Sequence, residues 1–224
     1  MTFSVIGRST QGNEFGIAIS SSSPAVAARC SHARAGAGVV ASQNITDPRL
    51  GGRILARLAH GESADSALIE VLAETPERDF RQLLALGSTG PAAAHSGSRS
   101  LGIFNTALGR DCAAGGNLLA HPGVPSAMVQ AFEIGGDVLA ERLLAALRAG
   151  RDAGGEAGPV HSAGLLVVRH LEWPIVDLRI DWSEHDPVDE LDRLYRLYAP
   201  QIDDYVRRAL DPSHAPRYGV PGDR

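Results

Sequence analysis

The chain opens on a pattern that commits it to a sheet. Phe3–Arg8 and Phe15–Ser20 are rich in β-branched and aromatic residues, and the polar run STQGN between them reads as the turn of a hairpin. A further strand, GVVASQ, follows a glycine bend at Gly36 and Gly38. The stretch FRQLLALGSTGPAAAHSG reads as a second hairpin turning at Ser88–Gly90, and SAGLLVVRH and IVDLRIDW add two more strands. Helices fall between them in pairs. DPRLGGRILARLAHG carries Pro48 in its first turn and Gly61 at its end. ESADSALIEVLAETP is capped by Ser63 and stopped by Pro76. Two more helices lie in HPGVPSAMVQAFE and GDVLAERLLAALRAG, and a last amphipathic helix is predicted over Pro187–Leu210, with Val188, Leu191, Leu194, Tyr195 and Tyr198 on its apolar side. Hairpins with helix pairs between them predict an α+β layered sandwich of mainly antiparallel sheets rather than a βαβ unit. The expected layout is one domain over residues 1–210 and a flexible C-terminal tail over 211–224.

Composition removes several functions. The formal net charge is −5, which argues against nucleic acid or an anionic membrane as partner. No apolar run approaches the length of a membrane span, and no basic segment followed by an apolar one marks a secretory signal. Cys30 and Cys112 form no C-x-x-C, which suits a reducing compartment, so the expected location is the cytoplasm. All 21 basic residues are Arg. Without lysine there is no Schiff base, no P-loop and no lysine general base.

Other motifs are weak. GAGVVA matches the loose form of a dinucleotide loop, but Val39 and Val40 follow where a helix must open. The eight His are scattered without a zinc spacing, and no metal site is expected. Asp177, Arg179 and Asp181 share a strand face that reads as solvated charge. No G-x-S-x-G elbow occurs, and Cys112 reads as a small buried residue.

Two features remain. Thr2 is small enough to permit removal of Met1, which leaves a hydroxyl and a free α-amine on one residue, a self-contained nucleophile and base. Small and amide-bearing residues also collect at predicted strand ends: Ser21, Arg34, Gln43, Asn44 and Asn117. Asn117, behind Gly115 and Gly116, has the form of an oxyanion donor beside a backbone that a substrate can approach.

The run MTFSVIGR…FGIAISSSSPAVAARCSHARAGAGVVASQNITDP, followed by AAGGNLLA, LAERLLAALRAGRDAGGE, HSAGLLVV and DLRIDWSEHDPVDELDRL, resembles the family of unknown function DUF1028, from Met1 to about Leu197. That family is similar to the N-terminal-nucleophile (Ntn) hydrolases. The resemblance implies a four-layer αββα sandwich, Thr2 at the nucleophile position, and Ser21, Arg34, Gln43 and Asn117 near the mouth of the site. Three positions depart from the family's usual residues: His32 for Trp, Glu156 for Asp and His121 for Gly.

The function so implied is hydrolysis of an amide or related C–N bond in a small, non-peptide substrate. Thr2 attacks, its own amine takes the proton, Asn117 stabilises the oxyanion, and no cofactor is used. Arg34 either lowers the pKa of the amine or binds a substrate carboxylate, which would make the substrate acidic. The alternative is a non-catalytic small-molecule-binding or assembly protein that retains the fold. Tyr195 and Tyr198 on the last helix suggest a homodimer.

Overall fold

The hairpin read from the first residues forms in the computed structural model, which describes residues 2–220. Strands β1 (Thr2–Arg8) and β2 (Phe15–Ser21) pair antiparallel, with Phe3 opposite Ser20 and Arg8 opposite Phe15. Strand β3 (Ser31–Arg34) follows a short helix, α1 (Val26–Cys30), and pairs with β4 (Gly38–Asn44). Helices α2 (Pro48–Ala59) and α3 (Ala64–Ala73) come next, then β5 (Arg81–Gly87) and β6 (Ala93–Ser96). Strands β7 (Asn105–Gly109) and β8 (Cys112–Asn117) make another hairpin, ahead of α4 (Val124–Glu133) and α5 (Leu139–Asp152). Strands β9 (Ser162–Val168) and β10 (Val176–Ile180) lead to α6 (Pro187–Tyr198) and α7 (Ile202–Leu210). The result is mixed α and β with antiparallel pairing throughout: a six-stranded sheet ordered β10-β9-β2-β1-β8-β7 and a four-stranded sheet ordered β3-β4-β5-β6.

Strand alternation decides which core each residue joins. Phe3 and Val5 point out of the six-stranded sheet into a cluster with Phe132, Leu143, Leu147 and Leu191 from α4, α5 and α6. Ile6, Ile17 and Ile19 point the other way and meet Val39, Ala41, Leu84 and Leu86 of the four-stranded sheet. On that sheet's far face, Val40, Leu83 and Ala85 pack under Leu50, Ile54, Leu58 and Leu68 of α2 and α3. Ser63 caps its helix as read, its Oγ accepting from Ser66 N, and Asp47, which the sequence reading did not single out, caps α2 by accepting from Arg49 N.

Gly38 starts β4 rather than a nucleotide loop. Its φ of 152° is one that L side chains rarely adopt, and an added Cβ would lie 2.2 Å from the Leu86 carbonyl oxygen. Gly38→Ala is therefore expected to cost about 3 kcal/mol, read as a lowered urea midpoint with unchanged slope.

The predicted last helix is broken. A single 3-10 turn, Ala199–Gln201, separates α6 from α7, because Pro200 has no N–H and its ring crowds the preceding turn. Tyr195 is buried in its own chain's core and Tyr198 stacks on Tyr205, so these rings do not form the open apolar face on which a homodimer was expected. Of the expected tail, residues 211–220 are tied to α7: Arg208 donates to the carbonyls of Pro216 and Arg217 and lies over the Tyr218 ring. Residues 221–224 and Met1 lie outside the described residues. Among the described residues no helix is long and apolar enough to cross a membrane.

Candidate functional site

Thr2 heads β1, a strand paired on both edges. It stands opposite Asn117 of β8, and the register of β2 carried one step past Phe3 and Ser20 brings Ser21 to its other side. Since Phe3 and Val5 point to the helices, Thr2 shares with Ser4 and Ile6 the face turned to the four-stranded sheet. Thr2 is 5% exposed, and Ser21 and Asn117 are fully buried.

Beneath Thr2 a buried chain of polar side chains joins the two sheets. Ser4 Oγ donates to Gln43 Oε1 at 2.7 Å, and Gln43 Nε2 donates to Gln82 Oε1 at 2.8 Å. Asn117 Nδ2 donates to the same Gln82 oxygen at 3.1 Å. Gln82 Nε2 donates to Ser96 Oγ at 2.9 Å and to the Gly116 carbonyl at 3.0 Å. That carbonyl fixes the direction of the whole chain. It can only accept, so Gln82 must turn its nitrogen to it and its oxygen to Gln43 and Asn117, which must both donate. Asn117 keeps a second N–H, while its Oδ1 is buried without a hydrogen-bond partner. Leu118, the next residue, is held at φ 50° between backbone bonds to Leu101 and Ala157, a strained conformation directly after the site.

Glu156 completes the surroundings. It forms an isolated bridge with Leu119, two residues past Asn117, and its Oε1 accepts from Ser22 N at 3.1 Å. It is 5% exposed and its Oε2 has no partner. Burial pushes its carboxyl up to about 7, opposed by the hydrogen bond from Ser22. Its side chain lines a cavity of about 360 Å³ with Phe3, Arg151, His161 and His185. The linkage sign follows. A carboxyl whose folded pKa is raised is better protonated in the folded chain, so stability falls as pH rises from the usual carboxylate range to about 7, then levels off. Glu156→Gln is expected to remove most of that fall, a few kcal/mol, and so to unfold at higher urea than wild type at pH 8 but not at pH 4.

The predicted residues do not all meet. Thr2, Ser21, Gln43 and Asn117 do. Asn44 adjoins Gln43 but lies on the other face of β4: at φ 70° its Nδ2 donates to the Phe80 carbonyl and its Oδ1 accepts from Leu101 N, which ties loops together. Arg34 is a correction. It is exposed and opposite Gly38, five residues along β4 from Gln43, or about 17 Å, at the end of the sheets where Arg8 and Phe15 lie. It is too far away to act on Thr2.

Ser4, Gln82 and Glu156 complete the cluster. Gln82 had a sequence signal, a lone amide inside the apolar strand RQLLALG, and Ser4 had one in its two-residue spacing from Thr2. The carboxylate at Glu156 lies in a glycine-rich loop with no such pattern. Of the other unusual positions, His32 packs its ring on Gly51 and His121 accepts from Gly123 N; neither enters the network. Cys112 is buried, and burial pushes its thiol up to about 12. Asp177 is paired with Arg179, and no group of three or more His, Cys, Asp or Glu among the described residues is arranged to hold a metal ion.

The model of the family of unknown function DUF1028 matches residues 2–191, and the chain belongs to that family. It is similar to the crystal structure of a protein of the same family from Silicibacter pomeroyi, with 30% identity and a TM-score of 0.84 over 92% of this chain and 94% of that one. A more distant likeness is to Anbu (ancestral beta-subunit) from Yersinia bercovieri, with 13% identity and a TM-score of 0.41 over 88% and 97%. No curated protein matches the chain.

Proposed function

We propose that the chain is an N-terminal-nucleophile hydrolase of the four-layer αββα kind, cleaving an amide or related C–N bond of a small, non-peptide substrate. The observation that carries this reading is the place of Thr2: at the head of a central strand, between Asn117 and Ser21, above a buried polar network that spans both sheets. Burying four amide and hydroxyl side chains between two sheets is costly unless each is bonded, so the network is a rigid floor for whatever Thr2 does.

Removal of Met1 frees the Thr2 amine. The Thr2 hydroxyl then attacks the carbonyl carbon as its proton passes to that amine, and the carbonyl π pair moves to oxygen. The second N–H of Asn117 stabilises the oxyanion, a contribution of about 3 kcal/mol for one such donor. The nitrogen leaves with a proton, and water hydrolyses the ester on Thr2. Arg34 takes no part, and with it goes the reason to expect an acidic substrate.

Intact mass tests the first step: the purified chain should lack one methionine. A panel of small amides and ureides, followed by release of ammonia or amine, tests the second. Asn117→Ala should lower turnover of any substrate found by about a hundredfold. A retained methionine in a protein that still turns over its substrate sinks the proposal.

A further inference from the structure

Two hydrogen-bond acceptors near the head of β1 are buried and unpartnered: Asn117 Oδ1 and Glu156 Oε2. Such groups are costly, and each calls for a donor. The Glu156 carboxylate is held there from both sides of β1. On the β8 side, Glu156 bridges Leu119 and Ala157 N donates to the Leu118 carbonyl at 2.9 Å. On the β2 side, Glu156 Oε1 accepts from Ser22 N, one residue past Ser21. The strand that starts between these two neighbours is β1, and its first residue is Thr2.

We propose that Glu156 is the positioning residue for the Thr2 α-amine in the processed chain, its Oε2 accepting from that amine with Asn117 Oδ1 as second acceptor. This rests on the reading of Thr2 as nucleophile. An α-ammonium brings three N–H donors to two waiting acceptors, and holding it turns the amine towards Oγ1 of the same residue. One proton is then shared by the pair. When it moves from the amine to the Glu156 carboxylate, the amine is left with a lone pair for the hydroxyl proton, as the Oγ1–carbon bond forms. A carboxyl whose proton affinity burial has raised suits that exchange.

The other charged groups near Glu156 are largely engaged. Arg151 of α5 is paired with Asp152, Asp186 and Asp189, Glu184 accepts from Trp182 Nε1, and His161 Nδ1 contacts the Ser183 carbonyl. His185 lines the same cavity.

The absence of lysine makes the test clean, because the α-amine is the chain's sole primary amine. Reductive methylation with 13C-formaldehyde therefore places one NMR label, on that amine. Its methyl shift is titrated in wild type, Glu156→Gln and Glu156→Asp, once intact mass has reported on Met1. The wild-type amine should hold its proton about tenfold or more tightly in the folded chain than in urea. Glu156→Gln should lose that gain and Glu156→Asp should keep part of it. An amine no more basic in the folded chain than in urea, or one unmoved by Glu156→Gln in a protein that melts normally, overturns the proposal. If Glu156→Gln does not fold, the wild-type comparison with urea decides. A retained Met1 overturns the nucleophile reading and this one together, whereas a removed Met1 with an unmoved amine overturns this one alone.

Discussion

Thr2→Ala is expected to abolish turnover and leave the fold standing. Under the proposed mechanism alanine, also small, still permits removal of Met1 and keeps the amine; what is lost is the hydroxyl oxygen proposed to bond the substrate carbon. The residual rate should be that of the oxyanion site and binding alone, several powers of ten below wild type. Thr2 is buried, but it contributes a hydroxyl and one methyl at a strand end, so the stability cost is about 1 kcal/mol. Thr2→Ser should keep part of the activity. It retains hydroxyl and amine but loses the branch that stiffens χ1, and a freer hydroxyl reaches the carbonyl less often. Initial rates on a substrate found by screening, alongside urea unfolding, separate the two effects. Full activity of Thr2→Ala defeats the assignment.

The largest stability change is expected at Gln82. Its side chain gives two hydrogen bonds and receives two, all but the one to Ser96 fully buried, and it joins Gln43 of β4 to Asn117 of β8 across the sheets. Gln82→Leu has similar volume, yet it strands the Gln43 and Asn117 amides and the Gly116 carbonyl. At about 1–2 kcal/mol for each buried group left without a partner, the loss is about 4 kcal/mol. Gln82→Glu does not rescue it, because a carboxylate oxygen would then face the Gly116 carbonyl. Ser96→Ala, which removes only the outermost bond, should cost about 1 kcal/mol. Equal urea midpoints for wild type and Gln82→Leu would refute the account of the network. Turnover should fall with Gln82→Leu even where the protein remains folded, since Asn117 loses the contact that orients it.

Strands and helices were legible where a local pattern is repeated. The β-branched and aromatic runs of β1 and β2, the cap at Ser63 and the proline at the start of α2 are each set by neighbours a few residues away, and each appears as read. Strand β3 and helix α1 carry no such signal. Each is very short, and β3 is held by its pairing with β4 rather than by its own sequence. The reading of one helix over Pro187–Leu210 followed a correct amphipathic period past Pro200, where covalent geometry overrides the period.

By itself, the sequence determined the chemistry on offer: a small residue after Met1, no lysine to serve as an alternative base, and a Gly-Gly-Asn run with an amide to donate. It also determined that strands come as hairpins, because strand propensity and turn residues act over short range. Only the tertiary structure decided which groups meet. Asn117 faces Thr2 through a register between strands more than a hundred residues apart in sequence. Gln82 enters because two sheets stack, and Glu156 because a loop folds over the ends of β2 and β8. Arg34 drops out for the same kind of reason. It lies only nine residues before Gln43, but β3 and β4 run antiparallel, and the strand carries the two to opposite ends of the sheet. Spacing along a chain fixes separation only within one element; between elements it is set by register and packing.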